Sequence, residues 1–346
     1  MTRGMAARAG TGAIAAAMAV TIAINSFTVS HIFRGSTRVP WGDEWAMLQQ
    51  FILYKHGASL WPILWSSHWG HRFVIPRLVY FADIQWASHA PLIWLTLSLQ
   101  AMLIVLLCSL SWVLIGRKSR ALFAAAVAVI LNLMLSPMQM ENFVWSMQFT
   151  FPLVYAAAFA AFLCLAAFRN RATVYAAAAA IAATIASLTM ANGILVWPVL
   201  VAQAIYLRLP RHVTIAIAML GAAIITAYCW RYSVPAIGMG ISGMLRHPLD
   251  ASLLIGLLLG GALNPISLPL GIGASLLAPA WAVCVAWREF RAPSAPRACL
   301  SALAALLVFV LLSAASTVAG RMSPQWLSGN TPVPSRLFTL VQLFWA

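Results

Sequence analysis

Long apolar runs follow one another along the chain, with short polar connections between them. Because a transmembrane helix needs about 20 apolar residues, the runs predict nine helices, at 11–33, 91–115, 121–138, 149–168, 174–190, 193–208, 212–231, 270–287 and 299–319. A further run, 250–271, contains Asn264-Pro265 and predicts a half-helix that breaks there. Barrel strands would alternate apolar and polar residues, which these runs do not. The expected fold is all-α: one polytopic transmembrane helical bundle of about nine to ten spans over residues 1–346.

Composition agrees with this pattern. Hydrophobic residues make up 63% of the chain and charged residues only 8%, so a water-covered surface could not be assembled. The first apolar stretch resembles a secretory signal, but it continues to about Phe33 without a clear small-residue cleavage site. We therefore expect an uncleaved first span rather than a signal peptide.

The charged loops predict the topology. The short connections 116–120, 169–172, 208–211 and 287–297 are basic, as cytoplasmic loops are. A cytoplasmic N-terminus then places residues 34–90 outside as a large extracytoplasmic loop, in a bacterial inner (plasma) membrane. Five of the six carboxylates fall in the expected outer segments.

The net charge of +15 does not indicate nucleic acid, because the basic residues are scattered between helices. Anionic membrane lipids are the expected partners. The five cysteines lie in or beside apolar runs without a CxxC pair, so neither a disulfide nor a cysteine metal site is indicated.

The loop 34–90 contains two amphipathic stretches, expected to form interfacial helices. The first begins with Asp43 and Glu44 between Trp41 and Trp45, which would hold that turn at headgroup depth. A carboxylate beside an apolar surface is expected to have a raised pKa, as a general base needs. The alternatives are a divalent cation site (Mg²⁺ or Mn²⁺), with Glu141 as a further ligand, or an Asp43 N-cap with Glu44 in the first helical turn.

The second stretch brings basic residues together. On a helical turn, His68, His71 and Arg72 would share a face and could grip a phosphate, with Arg77 following Pro76. The two histidines could instead be half of a zinc site, although no HExxH follows. The third interpretation is an interfacial helix that snorkels its basic residues.

Other outer segments supply further polar residues. Glu141 is expected to meet a cation from another segment, with Arg72 or Arg77 as candidates. Gln148 and Asn192 are candidates for support or acceptor binding, although Asn192 could simply cap a turn. Arg321 and Arg336 lie on the same predicted side, either as phosphate ligands or as interface anchors. The last residues, 335–346, begin an apolar run too short for a span, which fits a truncated product or a tail that docks without crossing.

This arrangement resembles the GT-C superfamily of membrane glycosyltransferases, which use polyprenyl-phosphate-linked sugars. The resemblance rests on "GDEW" early in a large first outer loop, the acidic "MEN" in the second, and late arginines. It implies transfer of a sugar from a polyprenyl-phosphate donor to a glycan, lipid or protein acceptor, with Asp43 as general base, Glu44 as its rival and Glu141 as the second-loop carboxylate. A transporter or flippase of lipid-linked glycans, a glycan polymerase or ligase, and a non-catalytic scaffold are the alternatives.

Overall fold

The structure, a computed structural model, describes residues 2–36, 39–87, 92–167, 172–232, 238–291, 297–323, 325 and 334–346. Within these ranges it consists of helices and the turns that connect them, and the only extended pairing among them is one isolated bridge between His68 and His71. The helices are α1 (Thr2–Gly35), α2 (Glu44–Lys55), α3 (Leu60–Trp65), α4 (Val74–Trp86), α5 (Ile93–Ser111), α6 (Arg120–Met134), α7 (Met140–Val144), α8 (Thr150–Ala166), α9 (Ala172–Ser187), α10 (Val196–Tyr206), α11 (Arg211–Cys229), α12 (Gly240–Arg246), α13 (Pro248–Leu259), α14 (Leu268–Arg291), α15 (Arg297–Arg321) and α16 (Phe338–Trp345).

The expected all-α membrane bundle is confirmed. Six helical segments in the described ranges are long and apolar enough to cross a membrane: Ile14–Gly35, Ile93–Gly116, Arg120–Val144, Ser146–Ala166, Arg211–Cys229 and Arg297–Arg321. Four shorter apolar helices accompany them, at Thr173–Ser187, Ala191–Tyr206, Pro248–Ala262 and Leu268–Cys284. Several helices expected to span are therefore shorter than a full crossing.

The helix α8 lies at the centre of the bundle. Most of its alanines and phenylalanines are buried, Ala158 and Phe162 completely, and it packs against α5, α9, α10 and α15. Small residues let neighbouring helices approach closely in a bilayer, where packing replaces the hydrophobic effect as the main attraction.

The expected break in 250–271 is present. The helix α13 ends at Leu259, a turn follows, and α14 begins at Leu268. The side chain of Asn264 donates to the carbonyl of Leu257 at 2.8 Å, and α13 packs against α14. The asparagine thus satisfies a helix-end carbonyl at the point where Pro265 prevents a continuous helix.

The loop after α1 folds into three short helices, α2 to α4, which pack on one another. Met47 and Phe51 of α2 face inward, while Trp41, Trp45, Trp61 and Trp86 are exposed. Exposed tryptophans at the end of an apolar bundle are typical of the membrane–water interface.

Candidate functional site

The turn before α2 places Asp43. Gly42 has a left-handed φ of +57°, and a Cβ there would lie 2.7 Å from the ring of Trp145. Trp41 packs on the same ring, with centroids 5.4 Å apart. Glycine is therefore required at position 42 both by the backbone and by close packing. Sequence reasoning missed Gly42 and Trp145, because their contact joins two distant loops.

The two neighbouring carboxylates have different environments. The side chain of Asp43 is 41% exposed, whereas Glu44 is buried. The oxygens of Glu44 accept hydrogen bonds from the backbone N–H groups of Trp41 (3.0 Å) and Met147 (3.1 Å). Burial raises the pKa of Glu44. Since its oxygens hold two backbone segments together, Glu44 is a structural residue at the start of α2, and Asp43 is the accessible carboxylate.

The raised pKa expected for Asp43 was wrong. Asp43 Oδ1 lies 3.4 Å from His68 Nε2, and this contact lowers the pKa of Asp43 despite partial burial. The positive charges of Arg336 and Arg321 lower it further. Asp43 does occupy the N-cap position of α2, with Glu44 in the first turn, as the alternative expected, but its side chain forms no capping hydrogen bond. Asp43 is therefore ionised at neutral pH and faces cations.

The helical turn expected over His68, His71 and Arg72 was wrong. These residues form a tight two-residue hairpin, in which His68 and His71 exchange backbone hydrogen bonds of 2.8 and 2.9 Å. Trp69 and Gly70 at its tip both have left-handed φ values, 48° and 79°, as a type I′ turn requires. The hairpin directs the two imidazoles toward different partners.

The side chain of His68 lies beside the carboxylate of Asp43. Its side chain is 14% exposed, and its Nε2 is within ion-pair distance of Asp43 Oδ1. The angles of this contact do not satisfy hydrogen-bond geometry, so the buried Nε2 has no hydrogen-bond partner within the described ranges. The imidazole thus lies against the Asp43 carboxylate and contributes to its lowered pKa.

His71 contacts Arg321 across the site. Its Nε2 lies 2.8 Å from a terminal nitrogen of Arg321, and its Nδ1 accepts a hydrogen bond from the backbone N–H of Ala191 at 3.1 Å. Burial, followed by the charge of Arg321, lowers the pKa of His71 to about 3. Because a neutral imidazole whose Nδ1 accepts carries its proton on Nε2, Nε2 faces the guanidinium of Arg321 without accepting from it. The guanidinium, at the end of α15, also lies 3.4 Å from the carbonyl oxygen of Trp69.

Arg72 and Arg77 direct most of their guanidinium N–H groups to the protein, although the buried Nη2 of Arg77 has no hydrogen-bond partner within the described ranges. The guanidinium of Arg72 donates to the carbonyls of Trp65, Tyr228 and Trp230 and lies over the Trp65 ring. Arg77 is fully buried and donates to Gln50 and to the carbonyls of Leu64 and Ser66. Both arginines hold the 60–77 segment in place, which does not favour the phosphate contact expected of them.

Glu141 meets Arg336 rather than the expected Arg72 or Arg77. Its Oε1 lies 3.4 Å from the guanidinium, and its Oε2 accepts from Ser335 Oγ at 2.6 Å and from the backbone N–H of Arg336 at 3.3 Å. The neighbouring Asn142 donates to Thr339 Oγ1 at 3.0 Å. The "MEN" segment thus binds the start of the last helix.

Gln148 and Asn192 were expected to support the site or to bind the acceptor. Gln148 is buried in the turn after Met147. Asn192 donates to Ser313 Oγ of α15 at 3.1 Å, next to Ala191, which bonds His71. Asn192 therefore ties the 191–195 turn to α15 close to the site.

The expected metal ligands do not form a cluster. The oxygens of Glu44 are engaged by amides, and Glu141 binds Ser335 and Arg336. Within the described ranges no group of three or more His, Cys, Asp or Glu residues is placed to hold a metal ion.

The arrangement places a solvent-accessible, ionised carboxylate within electrostatic reach of two arginines. It could accept a proton at Asp43 and hold an anion at Arg321 or Arg336. No family model matches the chain, and neither a curated protein nor a solved structure matches it at a significant level.

Proposed function

We propose that this membrane protein is a GT-C type glycosyltransferase, which transfers a sugar from a polyprenyl-phosphate donor to a hydroxyl of a glycan, lipid or protein acceptor. The supporting observation is Asp43, a half-exposed carboxylate whose pKa is lowered by His68 and by the charges of Arg336 and Arg321. Sugar transfer from a lipid phosphate needs a base for the acceptor and positive charge for the departing phosphate.

In the proposed reaction, Asp43 takes the proton of the acceptor hydroxyl as its oxygen bonds the anomeric carbon. The bond between that carbon and the phosphate oxygen breaks, and its electron pair leaves with the polyprenyl phosphate. A single displacement of this kind inverts the anomeric centre. The transition state resembles an oxocarbenium ion. The acceptor hydroxyl therefore becomes acidic only as its oxygen bonds the anomeric carbon, and at that point an ionised carboxylate of low pKa is basic enough to take the proton.

The phosphate contacts are assigned to Arg321 and Arg336. Arg321 lies beside the neutral ring of His71, and Arg336 forms an ion pair with Glu141. Neither contact is a bidentate pair buried away from water, so both guanidinium groups retain N–H donors for an anion. Arg72 and Arg77 instead maintain the shape of the loop.

The membrane setting supports a lipid-linked donor. Exposed tryptophans beside Asp43 and on α3 and α4 suit the level of the headgroups, where a polyprenyl phosphate carries its charge. We propose an extracytoplasmic site in a bacterial inner membrane, and the basic connections at 116–120 and 208–211 support that orientation of the chain. Anionic lipids are expected around those connections.

The experiment supplies nanodiscs containing the purified chain with polyprenyl phosphates that carry one radiolabelled sugar at a time, together with a membrane extract as acceptor source. We expect the radiolabel of one of these sugars to move from the polyprenyl phosphate to the acceptor. Arg321→Gln and Arg336→Gln should each weaken binding of unlabelled undecaprenyl phosphate, measured by native mass spectrometry, by about tenfold.

The matched control is Arg246→Gln, which removes an exposed arginine at the end of α12. It should leave both measurements unchanged. The proposal would be overturned if no sugar were transferred and if Arg321→Gln and Arg336→Gln both bound undecaprenyl phosphate as tightly as the wild type.

A further inference from the structure

The contact between His71 and Arg321 brings two hydrogen-bond donors together. The backbone N–H of Ala191 donates to Nδ1 of His71 at 3.1 Å, so the single proton of the neutral ring is on Nε2. That nitrogen lies 2.8 Å from Nη2 of Arg321, and a guanidinium has N–H donors but no acceptor. An N–H group therefore faces an N–H group, and the pair lacks an acceptor.

The other neutral tautomer of His71 would only move the mismatch. With the proton on Nδ1, the ring would set a donor against the N–H of Ala191. That amide belongs to the turn Ala191–Leu195, which Asn192 ties to Ser313 of α15 at 3.1 Å, so it cannot turn away. The guanidinium of Arg321 ends a long side chain at the last residue of α15 and can turn. Arg321 is therefore the group that needs another acceptor.

Arg321 also lacks a paired carboxylate. Among the residues that the structure describes, no Asp or Glu oxygen lies within 4.0 Å of its guanidinium. Its charge acts on Asp43 from beyond that distance, and so does the charge of Arg336. Arg336 has a partner in Glu141, at 3.4 Å. The acceptor that Arg321 lacks is therefore favoured to be an anion.

The pair is accessible to a ligand. The side chains of His71 and Arg321 are both half-buried, and the neighbouring Trp69 is 60% exposed. The imidazole is fixed, because Phe73 stacks on it with ring centroids 5.1 Å apart. An oxygen that accepts from both nitrogens at about 2.9 Å each requires them to separate. The guanidinium is the part that moves aside, and the ring stays in place.

We infer that Nε2–H of His71 and the guanidinium of Arg321 together bind one anionic oxygen of a phosphate group. The neutral ring is the fixed donor, and the arginine supplies the charge. An anion suits the pair better than water, because charge-assisted hydrogen bonds are roughly twice as strong as neutral ones. The identity of the phosphate rests on the proposed sugar transfer: it is the phosphate of the polyprenyl donor. A free phosphate ion offers the same oxygen, and the experiment separates the two.

The first test detects the contact directly. The chain is labelled with nitrogen isotope at histidine and reconstituted with undecaprenyl phosphate in a phosphorus-free glycolipid, and nitrogen–phosphorus dipolar couplings are measured by solid-state NMR. We expect one protonated imidazole nitrogen to couple to phosphorus. His71→Gln, which removes the ring, should abolish this coupling, whereas His247→Asn removes an exposed imidazole outside the site and should leave it unchanged. Absence of the coupling, or an unprotonated Nε2 in His71, would overturn the inference.

A second measurement compares affinities for undecaprenyl phosphate by native mass spectrometry of folded protein. His71→Gln keeps an amide donor near the position of Nε2 and should bind nearly as tightly as the wild type. His71→Leu removes the donor and should bind about tenfold more weakly. Because His71 and Arg321 share one oxygen, combining His71→Leu with Arg321→Gln should weaken binding by less than the product of the separate effects. Affinity unchanged in His71→Leu would contradict the inference.

Inorganic phosphate distinguishes the lipid from the free ion. We expect it to bind more weakly than undecaprenyl phosphate; tighter binding of inorganic phosphate would assign the pair to the free ion and overturn the assignment to the lipid. Sugar transfer is tested separately. Binding that depends on His71 without transfer of any sugar would refute the glycosyltransferase and keep the phosphate site, whereas transfer without a coupling from His71 would keep the enzyme and refute the site.

Discussion

The imidazole of His71 lies between two hydrogen-bond donors: Arg321 is 2.8 Å from its Nε2, and the backbone N–H of Ala191 is 3.1 Å from its Nδ1. A neutral imidazole carries one proton, so one nitrogen can accept and the other faces a donor. Protonation would set donors against donors on both sides. The contact therefore keeps His71 neutral and makes its position sensitive to acid.

The first prediction concerns pH and stability. The pKa of His71 is lowered from 6.5 to about 3 in the folded chain. Because the unfolded chain binds this proton first, the stabilising contribution of neutral His71 is complete above pH 6.5 and decreases as the pH falls toward 3. When the pH is lowered from 7.5 to about 5, we expect the melting temperature of His71→Asn to fall less than that of the wild type. Tryptophan fluorescence in detergent is the measurement.

His247→Asn is the control for this comparison, because the side chain of His247 is 62% exposed and lies outside the site. Its pH dependence should match that of the wild type. An identical loss of stability in His71→Asn and wild type would show that His71 is already protonated or plays no part.

The second prediction concerns Arg72, whose guanidinium satisfies carbonyls of Trp65, Tyr228 and Trp230. Lysine cannot reach all of them with its single nitrogen. Arg72→Lys should therefore lower the free energy of unfolding by about 2–4 kcal/mol, the cost of buried acceptors that lose their donors. Reversible denaturant unfolding in mixed micelles is the measurement.

Surface substitutions usually change stability by less than about 0.5 kcal/mol, and Arg246→Lys should behave in this way. Binding of undecaprenyl phosphate by the folded fraction of Arg72→Lys should equal that of the wild type. If Arg72→Lys lost binding of undecaprenyl phosphate while its stability was unchanged, Arg72 would be a phosphate ligand.

The third prediction separates backbone strain from packing at two glycines. Gly42 and Gly57 both have left-handed φ values, but a Cβ at Gly42 would lie 2.7 Å from Trp145, whereas at Gly57 nothing lies within 4 Å. Gly57→Ala should cost about 1–2 kcal/mol from the backbone alone. Gly42→Ala should cost more and also impair transfer, because the displaced turn carries Asp43. Equal effects of the two substitutions on stability and transfer would show that the Trp145 contact is unimportant.

Much of the fold follows from local sequence. The apolar runs predict α5, α8, α11 and α15 because hydrocarbon requires every backbone group to be paired within a helix. The break near Asn264 follows from Pro265, which lacks an N–H. Helix lengths were less predictable, since burial inside the bundle lets an apolar helix such as α13 stop short of a full crossing.

The site was harder to predict, because its contacts join distant segments. "HWGH" fits a helical spacing of its polar residues, but the turn conformation of Trp69 and Gly70 decides the local structure. The partner of Glu141 could not be read from the sequence, because Ser335 and Arg336 reach it only when α16 docks on the bundle. The Asp43 turn was recognisable from its neighbouring tryptophans, yet its lowered pKa depends on His68 in another turn.

The last prediction is that Asp43 accepts the proton of the acceptor. Asp43→Asn keeps the size of the side chain but removes its basicity, so sugar transfer should fall about a hundredfold or more, within the range of a positioned general base. Undecaprenyl phosphate should still bind, since Arg321 and Arg336 are untouched. Transfer is measured with the labelled lipid sugar, and binding by native mass spectrometry on the same preparation.

The chain offers a matched control in Asp250, which also lies near an imidazole, 3.9 Å from Nδ1 of His247, but at the exposed start of α13. Asp250→Asn should transfer sugar at the wild-type rate. Glu44→Gln tests the rival carboxylate: because Glu44 binds the amides of Trp41 and Met147, we expect it to lower thermal stability and reduce transfer only as far as folded protein is lost. Normal turnover in Asp43→Asn, with turnover abolished in fully folded Glu44→Gln, would assign the base to Glu44, and normal turnover in both would exclude a carboxylate base at this turn.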